Sequence, residues 1–168
     1  MKYIVLFFTL SICACNNTLK KDHKHEYLRH VGDIPFDNTL DDPAFRPCNE
    51  ESARVHHNFN NPDLYEGEKP AMIKPLMQLE FAKIEGESGY ITIRFMVNCE
   101  GKTGRYRVEQ LDFEYKDKKF NEKIIDSLLS KTKSLDKWIP AKSEDFVYDY
   151  YKYLTFKIID NQIKDILP

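Results

Sequence analysis

Apolar and polar residues alternate most cleanly from Gly89 to Asn98, where Ile91, Ile93, Phe95 and Val97 fall on one side and Thr92, Arg94 and Met96 on the other. A period of two predicts a half-buried β-strand. Cys99 to Gly104 forms the following turn, with Gly101 and Gly104 as positions that permit positive φ. A second strand is expected over Arg105–Tyr115. Its apolar phase shifts, since Tyr106 and Val108 are even-numbered and Leu111 and Phe113 odd, which predicts a bulge near Glu109 and Gln110. Phe120, Ile124, Leu128 and Leu135 then recur at helical spacing beside Ile125 and Leu129, while Lys123, Lys131 and Lys133 take other positions. This is an amphipathic helix covering one sheet face. Trp138, Ile139, Pro140 and Ala141 end it, because a proline disfavours helical geometry in the residue before it. A long strand follows over Phe146–Ile159, with Leu154, Phe156 and Ile158 inward and Thr155 and Lys157 outward, and Asp160–Pro168 is expected to be a surface tail.

Upstream, Met72, Ile73, Leu76, Met77, Leu79 and Phe81 form a nearly helical stripe that Pro75 interrupts, so the helix is expected to start at Pro75. Residues 44–69, with Pro47, Pro62, Gly67 and an Asn-rich run, predict turns and extended pieces. The resulting fold class is α+β, a small antiparallel sheet of about three strands with two helices packed on one face.

The first residues follow a different pattern. Lys2, an apolar run from Tyr3 to Leu10 broken only by Thr9, and then Ser11, Ile12, Cys13, Ala14 and Cys15 make up a positive start, an apolar stretch and a small-residue cut site. The apolar run is much shorter than the roughly 20 residues that cross a bilayer. Ile12-Cys13-Ala14-Cys15 resembles a bacterial lipobox, and the resemblance implies cleavage after residue 14 and a thioether lipid on Cys15; the alternative is an ordinary secretory peptide in which Cys15 is incidental. The expected division is a signal peptide over 1–14, a flexible polar tether over 15–43 and a folded domain over 44–168. The lipobox resemblance implies a lipid-anchored protein of the cell envelope, expected in the outer membrane, and the lack of an acidic run directly after Asn16 favours the side facing the periplasm.

The chain has 25 basic and 27 acidic residues, a balance without the basic excess that nucleic acid would require. Ten Tyr and eleven Phe supply material for strands and a core. Four cysteines are present. With Cys13 cleaved and Cys15 alkylated, Cys48 and Cys99 remain in an oxidising compartment, and a disulfide between them is predicted. A separation of 51 residues would give a chain-entropy contribution of about 4 kcal/mol. The alternatives are two unpaired thiols or a metal site formed with His56 and His57, although adjacent histidines lack the usual ligand spacing. The His23, Lys24, His25 cluster is a mixed-charge solvated run.

The order helix, strand, glycine turn, strand, helix, Trp-x-Pro, strand resembles the C-terminal domain of TonB energy transducers over about residues 65–159. Tyr65, Glu66, Gly67 and Glu68 resemble its lead-in segment. Gly89 to Val97 with Cys99, Glu100 and Gly101 resemble its first strand and turn, and Trp138, Pro140 and Leu154 to Ile158 its corner and final strand. The chain departs from that family in keeping no N-terminal membrane helix under the lipoprotein reading and in having only Pro35 and Pro43 in its tether, so energy transduction is not implied. What the resemblance implies is recognition of an extended peptide along a sheet edge. The final strand, with Tyr148, Tyr150, Lys152, Leu154, Phe156 and Ile158, is the expected edge; the alternative is an edge protected by Asp149, Lys152 and Lys157.

No nucleophile-base pair, phosphate loop or cofactor motif stands out; Gly101-Lys102-Thr103-Gly104 lacks the phosphate-loop spacing. The expected function is a non-catalytic module that binds an envelope protein or extended peptide, uses no cofactor or metal, and touches the membrane through its lipid. Pairing of two copies by their edges is a further expected contact. The alternatives are a metal-dependent hydrolase using His56, His57 and a nearby carboxylate, and a purely structural envelope component.

Overall fold

The computed structural model describes residues 32–56, 64–81, 87–143 and 146–167. Its centre is an antiparallel pair in which β2 (Gly89–Val97) lies along β6 (Tyr150–Ile159), from Gly89 opposite Ile158 to Val97 opposite Tyr150. Matched alternation holds that register, because a one-residue slip would turn Ile91, Ile93, Leu154 and Phe156 to the wrong face. β3 (Thr103–Leu111) pairs with the other side of β2. The second side of β6 is shared by β1 (Arg54–Val55), parallel to Tyr150 and Tyr151, and β7 (Gln162–Leu167), antiparallel to Thr155–Ile159. A separate ribbon joins β4 (Ala141–Lys142) to β5 (Val147–Tyr148). The α+β class is present, but the main sheet has five strands rather than three, and one of its pairs is parallel.

α1 (Glu68–Met77) and α2 (Glu122–Lys133) contribute to one core with the sheet, in which Met72, Leu76, Ile124 and Leu128 meet Ile91, Ile93, Leu154 and Phe156. Asn121 caps α2 by accepting the Lys123 N–H at 3.0 Å. Trp138 fills the corner, edge-on to Tyr65 at 5.0 Å and to Phe95 at 5.2 Å. α1 runs through Pro75 instead of starting there. The proline removes one helical hydrogen bond near the end of the helix, and the full burial of Met72 and Leu76 offsets that loss.

The structure departs from further expectations. The bulge lies not at Glu109 and Gln110 but opposite Phe95, where Arg105 takes a positive φ of 54°. Leu111 keeps its phase and lies beside Tyr90 on the face away from the helices, where the Tyr90 ring meets Phe113 and Tyr115. The two apolar phases therefore belong to two faces. Asp160–Pro168 is no tail over the described residues: Asp160 and Asn161, with φ of 48° and 60°, close a two-residue hairpin loop that returns the chain as β7. Ile163 and Ile166 then enter the core.

The face away from the helices is covered in part by residues 32–53, which form a strap. Ile34 and Ala53 are buried there with Met96 and Tyr151, and Phe45 packs beside them. Residues 32–43, read from the sequence as tether, thus lie on the sheet. Gly104 has an ordinary φ, and its role differs from the one expected: any Cβ there would collide with the Phe45 ring. Gly101 does take a positive φ, 76°, and passes close to the Trp138 carbonyl.

Candidate functional site

Arginines of the sheet fasten the strap. Arg107 donates to both carboxylate oxygens of Asp41 at 2.7 and 2.8 Å and to the Pro35 carbonyl at 2.8 Å. Arg105, almost wholly buried, pairs with Glu50 through both terminal nitrogens and reaches the Ile34 carbonyl at 3.1 Å. Arg94 bonds the Gly32 carbonyl at 2.7 Å, and Asn98 the Arg46 carbonyl at 2.9 Å. A guanidinium suits this task because its planar fork can serve a carboxylate and a carbonyl together. The Arg107 bonds hold the Asp41 carboxyl below its ordinary range, against the opposing effect of burial.

The predicted bond between Cys48 and Cys99 is formed, with Cα atoms 5.9 Å apart. Beside it, the fully buried Asp149 carboxylate accepts the Asn49 N–H at 2.8 Å and the Cys99 N–H at 2.9 Å. Strap, β2–β3 turn and the start of β6 are thereby joined at one point. The Sγ atoms and an Asp149 oxygen lie within 4.8 Å of one another, but both sulfurs are committed to the disulfide and do not serve as thiolate ligands. His56 tilts against the Tyr150 ring at 5.6 Å, whereas His57 lies outside the described residues. Cys15, the signal peptide expected over 1–14 and the His23, Lys24, His25 cluster lie outside them as well. Among the described residues, no helix is long and apolar enough to cross a membrane.

The edge strand proposed from sequence is not an edge. β6 has β2 along one side, and β1 and β7 over both ends of the other. Tyr150, Lys152, Leu154, Phe156 and Ile158 are all buried. The Tyr150 hydroxyl donates to the Ile139 carbonyl at 3.0 Å, and Tyr148 belongs to the β4–β5 ribbon. The added strands explain the error, because a terminal strand becomes central once the residues after it fold back.

Of the sheet's two edges, one is formed by β1 and β7 and the other by β3. Among the described residues no strand pairs with its outer side over Thr103–Glu109. Only its far end is closed, where Leu111 bridges Asp117, the Lys118 N–H donates to the Gln110 carbonyl at 3.1 Å, and the Asp112 N–H donates to the Lys116 carbonyl at 2.9 Å. These bonds show which way the backbone faces. Main-chain groups alternate in direction along a strand, so the N–H and C=O of Val108 point outward with those of Gln110.

Along this edge runs a groove of about 450 Å³. Tyr106 and Val108 line it from β3, Leu129 and Lys133 from α2, and Leu40, Asp41 and Asp42 from the strap. A second hollow of about 390 Å³ lies farther along α2 at Gln110, Phe120, Glu122, Ile125 and Asp126. Tyr106 is kept neutral by burial, which raises its pKa, and its hydroxyl donates to Thr103 Oγ1 at 2.7 Å. Lys133 Nζ lies 5.2 Å from the centre of the Tyr106 ring. The groove therefore pairs an apolar wall with main-chain donors and acceptors that have no strand partner among the described residues, as strand addition requires.

Sequence alone did not single out β3. Its alternating charges, Arg105, Arg107 and Glu109, resemble a solvated face, yet two of the three fasten the strap. The Asp160-Asn161 pair, a residue type favoured in two-residue hairpin loops, was the local signal that could have moved the edge. No protein-family model, no curated protein and no solved structure matches this chain.

Proposed function

We propose that this chain is a lipid-anchored protein of the cell envelope that binds an extended segment of another envelope protein along the outer edge of β3. The observation that carries this reading is the unpaired outer side of Thr103–Glu109, flanked by Leu40 of the strap and Leu129 of α2. Main-chain groups facing outward at Val108 supply hydrogen bonds that do not depend on ligand sequence, and the apolar wall selects alternate side chains. The lipobox-like residues ending at Cys15 support anchoring, and the resemblance to a TonB C-terminal domain supports peptide recognition at a sheet edge. Placement in the outer membrane, facing the periplasm, belongs to the same proposal. Neither membrane coupling nor catalysis is required of the groove.

A photocrosslinking amino acid placed at position 108 in intact cells tests this. Discrete adducts are expected there, with none from the same group at Tyr153, which is exposed on the other sheet face. Val108→Pro removes one outward N–H without touching the β2 ladder and should reduce adduct formation by the groove-facing Leu129 position. Equal adducts from positions 108 and 153 would sink the proposal. Anchoring has its own check: labelled palmitate incorporation should disappear in Cys15→Ala.

A further inference from the structure

Resting on that reading, we propose that the β3 groove takes a single extended segment of a different chain, running antiparallel to β3, with apolar side chains at alternate positions. Direction follows from a strand fragment already present. Residues 116–118 lie antiparallel against the far end of β3, with Asp117 opposite Leu111 and the Lys118 N–H bonded to the Gln110 carbonyl. The chain then leaves the edge, since the next main-chain donor, Phe120 N–H, goes to the Gln110 side chain at 2.8 Å. A ligand continuing that antiparallel ladder enters near Gln110, bonds Val108 through both main-chain groups, and leaves beside Thr103 and Lys133.

The same fragment argues against a second copy of β3 as occupant. Two copies paired about a two-fold axis at Val108 would bring Tyr106 of one opposite Gln110 of the other, the place Lys118 already holds. Side-chain chemistry follows from the pleat. Every second ligand residue turns toward Leu129, Val108 and Tyr106, which reward apolar groups, and the residues between turn toward the strap side, where Arg107 and Asp41 satisfy each other.

The probe is a displayed library of random decapeptides, selected on the full-length chain in detergent and counter-selected on Val108→Pro. Enriched sequences should alternate apolar and polar residues, and replacing an apolar position by Ser should weaken binding about tenfold, against less than about twofold between them. A benzophenone at the amino end of a selected peptide should crosslink near Gln110 and Glu122, and one at the carboxyl end near Leu40 and Thr103. The reverse pattern would overturn the direction while leaving peptide binding intact. Failure to enrich any peptide over Val108→Pro would overturn both, as would a dimer in sedimentation that crosslinks β3 to β3.

Discussion

On one side the sheet meets Met72, Leu76, Ile124 and Leu128; on the other it meets a strap held by Arg94, Arg105, Arg107, Asn98 and a disulfide. The helix side is closed by burial of apolar area, which is non-directional. The strap side buries a small apolar patch, Ile34, Ala53, Met96 and Tyr151, and relies on directed bonds to backbone carbonyls. A segment with few aliphatic residues cannot secure itself by burial, so it is secured by groups the sheet supplies. The comparison bears on function, because Leu40, Asp41 and Asp42 of the strap form one lip of the β3 groove and Leu129 of α2 the other. One lip packs against the apolar core, and the other depends on charge and a covalent bond.

The largest effect that would sharpen this contrast is on the helix side. Leu128→Ala, at a fully buried position, should cost about 2–5 kcal/mol in urea unfolding. A loss below that range would show that the core is less closely packed than described. Replacing Cys48 and Cys99 together by Ala should cost about 2–4 kcal/mol, and amide exchange should accelerate over 32–53 more than in β2 and β6. Uniform acceleration would erase the distinction between the two sides.

Arg107→Ala should destabilise by about 1–3 kcal/mol, because it leaves the buried Asp41 carboxylate without its partner. It should also weaken groove binding, whereas Lys133→Ala, on the other lip, should leave stability nearly unchanged. The smallest effect is one of pH. Arg107 holds the Asp41 carboxyl below its ordinary 3.8, so the unfolded chain takes up that proton more readily than the folded one. The contribution is complete above the ordinary value and fades as pH falls through the lowered one. The stability gap between the natural chain and Asp41→Asn should therefore narrow on acidification below about pH 4; a gap that widens would assign the bond to something other than charge.

Much of the helix side was legible because periodicity reports burial. Ile91, Ile93 and Phe95 announced a strand, and Ile124 and Leu128 a helix, because each turns the same way as its neighbours toward one core. Cys48 and Cys99 were legible by elimination of the other thiols. The strap was not, because Arg105 bonds a main-chain carbonyl and Glu50, partners whose approach no local pattern encodes. The groove was displaced for a related reason: whether a strand is an edge depends on what else pairs with it, and β1 and β7 are too short to carry a strong alternation.

By itself, then, the sequence determined the α+β class, the β2–β3 turn, the amphipathic α2 and the cysteine pair, each set by residues close in the chain or by simple counting. Only the tertiary structure decided that β6 is central, that residues 32–53 belong to the fold, and that the edge beside the groove is that of β3. Those outcomes rest on pairings between distant segments, where the alternatives differ by hydrogen-bond direction and long-range charge and not by hydrophobic period.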